Sequence, residues 1–300
     1  MGESISKVIK FYKIIPQPTL KYCSDDINSK TNEMFKIAFP DVDNYSLESE
    51  DSKILMEIIE YTDEYIFAKC SKEENMSTTK LLQVRDKGTN KTKPLHFQAT
   101  QQLETYTFIY IDFTQNILAV LGNKKISKIN EHISSYIYSK AFPQVHIEIP
   151  ALKINDIEKA LKSYNKFTAL NIKYVPDLTK SSEISKLADV LEGNVEIKNA
   201  KLKISFKECG NTEKFVNKLL TKISKRDRVW EKFEIVAKND YGLDEVINFY
   251  ESIYIRNVLI QINEQDLEHF YWIRDKLKTE IQKIESYASW YYYNIIYCYN

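Results

Sequence analysis

Phe270, Leu277, Ile284, Tyr291 and Cys298 recur every seven residues at the end of the chain, and Ile273, Ile281, Ala288 and Ile295 fill the same stripe. A repeat of this period places apolar side chains along one helical face, and such a face has to be covered. Neither Gly nor Pro interrupts the segment after Asn263, which suits a helix cap with Asp266 at the third helical position. The pattern predicts a long closing helix over 263–300. Its cover is either the chain's own domain or the same helix of a second copy, a homodimer, with Phe270, Leu277, Ile284, Tyr291 and Ile295 as the candidate interface. From Trp290 to Tyr299 the helix is aromatic nearly all round, so more than one side should be buried.

The first half reads as strands and turns. Lys7 to Ile15 is dense in β-branched and aromatic residues and stops at Pro16. Asp26 to Phe39 carries Ile27, Met34, Ile37 and Ala38 near one helical face before Pro40. Ile54–Tyr61 and Tyr65–Cys70 flank Thr62-Asp63-Glu64 as one hairpin, and Tyr106–Phe113 and Ile117–Leu121 form a second. Ser127 to Tyr138 is helical by the spacing of Ile129, Ile133 and Ile137.

Beyond Pro143 the pattern changes to strand, helix, strand. A capping box at Asn155 and Glu158 opens a helix, and Leu170–Val175 follows as a strand. Strand Lys201–Phe206, helix Thr212–Ile223 and strand Phe233–Ala237 repeat the unit, and a helix over Leu243–Tyr250 leads to strand Asn257–Ile262. The expected fold class is α+β: a β-rich N-terminal domain (1–143), a domain of βαβ units (144–262) of the ferredoxin-like or doubled-sandwich type, and the C-terminal helix (263–300).

Composition narrows the function classes. With 43% hydrophobic residues, 21 Tyr and 14 Phe, the chain is a folded globular protein. No secretory leader and no apolar run of membrane-spanning length is present, which predicts a cytoplasmic protein without a membrane partner. Six scattered glycines cannot supply a phosphate-cradling loop. Cys23, Cys70, Cys209 and Cys298, and likewise the four histidines, lack metal-ligand spacing, so no metal or cofactor is expected.

The net charge is zero, but its distribution is uneven: residues 41–64 hold nine acids against one Lys, and residues 198–232 hold eleven basic residues against four acids. The two tracts either face each other, form solvated faces or bind ligands. Lys222, Lys225, Arg226, Arg228 and Lys232, with Trp230 among them, combine phosphate-binding cations with a ring on which a base can stack. A solvated helix end accounts equally for Lys222 and Lys225. A metal-dependent nuclease would need converging carboxylates, for which Asp112, Glu57, Glu60 and Asp86 are the candidates.

Three stretches, Ile58–Lys69, Leu82–Gly88 and Tyr106–Lys124, together resemble a group of uncharacterised prokaryotic proteins associated with mobile elements and phage defence. The resemblance implies a bacterial protein of phage–host conflict, such as an abortive-infection component, and carries no catalytic residue. The expected function is therefore a non-enzymatic binding protein contacting nucleic acid or a protein partner through the basic surface. The alternatives are a metal-dependent nuclease and a structural or regulatory subunit docking through the C-terminal helix.

Overall fold

The structure is a computed structural model that describes residues 3–19, 22, 24–48, 53–74, 83–85, 88–89, 91–94, 101–153, 161, 164, 166–174, 200–205, 230–248, 253–262 and 270–288. The chain forms two compact units. One comprises Met1–Gly2, Lys7–Ala151 and Ile262–Gln282, the other Glu3–Ser6, Leu152–Gln261 and Lys283–Asn300.

Strands β1 (Glu3–Lys13) and β2 (Ile15–Pro16) precede a 3-10 helix over Ser24–Lys30 and helix α1 (Thr31–Ala38). Strands β3 (Asn44–Glu48), β4 (Lys53–Tyr61) and β5 (Tyr65–Glu73) follow. After the short β6 (Gln83–Arg85) and β7 (Thr92–Pro94) come β8 (Glu104–Asp112) and β9 (Ile117–Leu121). Helix α2 (Ile129–Ala141) and β10 (Ile147–Glu148) are succeeded by β11 (Lys166–Tyr174), β12 (Ala200–Ser205) and β13 (Trp230–Lys238). Strands β14 (Asp244–Asn248) and β15 (Ile255–Ile262) and helix α3 (Tyr271–Ala288) complete the described elements.

The large antiparallel sheet has the order β15-β1-β9-β8-β5-β4-β3. Because side chains alternate along a strand, one face presents Ile54, Met56 and Ile58 of β4, Ile66, Ala68 and Cys70 of β5, Ile109 and Ile111 of β8, and Leu118 and Val120 of β9. These belong to one buried cluster with Met34 and Phe35 of α1 and Ile133 and Ile137 of α2. Cys70 is a free, buried thiol whose pKa burial pushes up to about 12.

The opposite face is buried as well: Phe11, Phe67 and Tyr110 are at most 1% exposed. Here α3 supplies the cover, since Phe270 packs on Phe108 at 4.6 Å and Arg274 reaches Glu60 at 2.8 Å. Ile273, Leu277, Ile281 and Ile284 of α3 are all buried within the chain itself. Each such apolar side chain contributes roughly 1.5–3 kcal/mol.

A β-bulge decides what faces α3. The register of β4 on β5 shifts between Ile58 and Glu60, so the extra residue Ile59 turns Glu60 away from the side taken by Ile54, Met56 and Ile58. Glu60 then stands opposite Phe67, on the side from which Arg274 approaches.

The expected α+β class with a C-terminal half of βαβ units is corrected by the structure, whose described residues are dominated by antiparallel sheet. Strands β12-β11-β13-β14 form a separate four-stranded sheet whose pairings are all antiparallel, whereas βαβ units would make it parallel. The segment expected as a helix at Leu243–Tyr250 contains β14 instead, hairpinned to β13 through a turn in which Gly242 adopts φ 71°. The closing helix is also shorter than expected in its described part. It begins at Tyr271 because Phe270 has φ 46°, a left-handed conformation that a right-handed helix does not continue through. The expected cap Asn263, and Tyr291 and Ile295, lie outside the described residues, as do the helices expected at 155–164 (for the most part) and 212–223. Among the described residues no helix is long and apolar enough to cross a membrane.

His132 on α2 is 5% exposed. Burial lowers its pKa, with Glu131 opposing and Lys72 and Lys128 assisting. The unfolded imidazole takes up its proton near pH ~6.5 while the folded one resists. Stability present above that pH is therefore lost as pH falls through the depressed folded value. His132→Gln should flatten the dependence of stability on pH between about pH 7 and pH 5. Urea melts at several pH values would show this, and parallel curves for parent and variant would refute it.

Candidate functional site

Three of the four carboxylates considered for metal chemistry, Asp112, Glu57 and Glu60, serve structural partners. Asp112, at the end of β8, accepts hydrogen bonds through Oδ1 from the Thr114 amide (2.9 Å), the Thr114 hydroxyl (2.6 Å) and the Gln115 amide (3.0 Å). This closes the β8–β9 turn in the way Asp side chains commonly do. Glu57 is paired with Lys69 of the neighbouring strand. Glu60 takes the Arg274 guanidinium with both oxygens at 2.8 Å and the Tyr65 hydroxyl at 2.7 Å. Asp86 lies outside the described residues. Four of the nine acids of the tract thus have basic partners, the other two being Glu48 with Lys53 and Asp63 with Lys36.

The second unit contains a buried polar network. Glu245 of β14, 2% exposed, accepts from the Tyr164 hydroxyl at 2.5 Å and from Arg256 at 3.4 Å through Oε2. Its Oε1 accepts from Asn239 Nδ2 at 2.7 Å and from the Asn257 amide of β15 at 2.9 Å. Arg256 also reaches Asp240 at 3.3 Å, and Lys283 meets the same carboxylate at 3.3 Å. Burial first, then the Glu245 charge, raises the pKa of Tyr164 and keeps it a proton donor. Asn239 also accepts the Tyr241 and Leu243 amides, so it fixes the turn that aims Glu245 inward.

The four-stranded sheet brings cations together. Its inner strand β11 aligns Lys173 with Lys201 of β12 on one side and with Lys232 of β13 on the other. With strands ~4.8 Å apart, the row Lys201–Lys173–Lys232 spans about 10 Å. Among the described residues, β14 pairs with β13 from Glu234 to Lys238. At the other end of the sheet Lys166 stands opposite Lys238, which pairs with Asp244 of β14 at 3.0 Å. The next register step beyond the lysine row joins Tyr174 to Ala200 and Trp230, with a bulge that accommodates Glu231.

Of the basic cluster expected from sequence, Trp230 and Lys232 are placed at the start of β13. Lys222, Lys225, Arg226 and Arg228 lie outside the described residues. Sequence reasoning missed Lys173 and Lys201. Their signal was the alternation of Lys with apolar residues in Asn171-Ile-Lys-Tyr174 and Lys201-Leu-Lys-Ile204, which marks one polar strand face without telling which rows align. Of the expected interface residues, Leu277 and Ile284 are buried within the chain, and Phe270 contacts Tyr106 and Phe108. No protein-family model matches the chain, and no curated protein matches it.

Proposed function

We propose that the chain is a non-enzymatic binding protein of bacterial phage defence, of the abortive-infection type, that acts in the cytoplasm and holds nucleic acid at the basic end of its four-stranded sheet. The cross-strand row Lys201–Lys173–Lys232 carries this reading. A polyanion crossing the row would release counterions as lysines neutralise its phosphates. The basic tract supports the same reading, since Arg226 and Arg228 precede Trp230 and Lys232 closely in sequence. The defence setting is supported by the resemblance carried by 58–69, 82–88 and 106–124.

Binding of labelled oligonucleotides measured by fluorescence anisotropy tests the reading. Charge reversal of Arg226 and Arg228 together should weaken binding about tenfold or more at low salt. It should also flatten the dependence of log affinity on log salt by about one for each phosphate contact removed. Cells producing the reversed variant should lose protection against phage, read as plating efficiency. Binding left unchanged by the double reversal would overturn the nucleic-acid assignment in favour of a protein partner.

A further inference from the structure

We infer that the hollow between the end of α1 and the β4–β5 turn is a binding site for a small organic cation, an amine carried on an apolar body. The hollow measures about 510 Å³, and Lys36, Pro40, Asp41, Val42, Tyr61 and Asp63 are among the residues that line it. Sites for small molecules commonly have volumes of roughly 300–1,000 Å³.

The charge of the lining sets the sign of the ligand. Lys36 Nζ bonds to Asp63 at 2.8 Å, so these two cancel. Among the described residues no hydrogen bond or ion pair engages the Asp41 carboxylate. Asp41 is held through its main chain instead: its amide donates to the Tyr45 hydroxyl at 3.1 Å, and its carbonyl accepts from that hydroxyl at 2.8 Å. One negative charge is thus fixed at the hollow without a counter-charge, in a tract, 41–64, that holds nine acids against one Lys. The C-terminal end of α1 adds the negative pole of the helix dipole.

A second observation also calls for a ligand. The Tyr61 hydroxyl is buried and has no hydrogen-bond partner among the described residues. Burial, and then the neighbouring Tyr45 and Asp63, push its pKa up, so it remains a neutral phenol whose oxygen can accept. Buried polar groups are rarely left unpaired. An ammonium has three N–H donors, enough to serve this oxygen and the Asp41 carboxylate together. Pro40 and Val42, the latter 58% exposed, offer apolar surface to the body of the ligand.

Calorimetric titration of the full chain tests this with three probes that share a phenylethyl body: phenethylamine, phenethyl alcohol and hydrocinnamate. The amine should bind at least about tenfold more tightly than the alcohol, and the carboxylate should not bind. Asp41→Asn should lower amine affinity about tenfold, the loss of one charge-assisted hydrogen bond. Tyr61→Phe should lower it about threefold yet melt no lower than the parent, because the hydroxyl it removes has no partner in the free protein. Glu48→Gln, at the far end of β3 and bonded to Lys53 at 3.2 Å, should bind the amine as the parent does. Equal affinity for amine and alcohol, or no binding by any probe, would overturn the inference. So would equal losses in Asp41→Asn and Glu48→Gln, which would assign the attraction to the acidic tract at large and not to the hollow.

Discussion

Glu245→Ala should lower folding stability by about 3–5 kcal/mol, the range found when one partner of a buried ion pair is removed. The carboxylate is 2% exposed and Arg256 6%, so water cannot replace what is lost. Removing it leaves the Tyr164 hydroxyl, an Asn239 amide hydrogen and the Asn257 main-chain N–H without their present acceptor. It also strips the guanidinium of its most buried counter-charge, leaving Asp240, whose side chain is 58% exposed. Glu245→Gln keeps the volume and one acceptor oxygen and should lose less. Urea denaturation would show a lower midpoint for both variants, the alanine variant further down. A loss under about 1 kcal/mol for Glu245→Ala would mean that the network relaxes around the gap, against the expectation for buried pairs.

The second large effect is expected at Leu277→Ala. Leu277 is 0% exposed on α3, in the layer that closes the second face of the large sheet, and truncating such a side chain costs about 2–5 kcal/mol through lost transfer energy and the cavity left behind. Because the side chain is buried within its own chain, the loss should be independent of protein concentration. Thermal melts over a hundredfold range of concentration would check this. A melting point that rises with concentration in the parent and not in the variant would instead place the stripe between two copies.

Particular elements show where the fold was legible in the sequence. The hairpins β4–β5 and β8–β9 were readable because long β-branched and aromatic runs are broken only by short polar turns, Thr62-Asp63-Glu64 and Thr114-Gln115-Asn116. The bulge at Ile59 was not, since nothing in Ile58-Ile-Glu60 distinguishes a register shift from continued alternation. Its consequence, the Arg274–Glu60 pair, joins residues 214 positions apart. Strand β14 was misread because Leu243, Val246, Ile247 and Tyr250 also fit a helical face. The Asn239–Gly242 turn, which makes that segment a hairpin arm, outweighs the spacing. The same limit hid the candidate site: alternation shows that Lys173 and Lys201 share a polar strand face with their neighbours, but only the pairing of three strands lines them up with Lys232.

The network around Glu245 has one more effect, at the border of the large sheet. Strand β15 ends the strand order and shows Ile255 and Leu259 to solvent at 39% and 37% exposure. A margin of that kind is a template on which other chains can grow by strand addition. At Asn257 the main-chain amide is taken by Glu245 at 2.9 Å and the carbonyl by Asn239 at 2.6 Å. Close by, the Tyr254 amide is taken by Leu152 at 2.7 Å. Side chains from the β13–β14 hairpin thus plug the rung that an incoming strand would need, and the groups that stabilise the fold also act as its guard against aggregation.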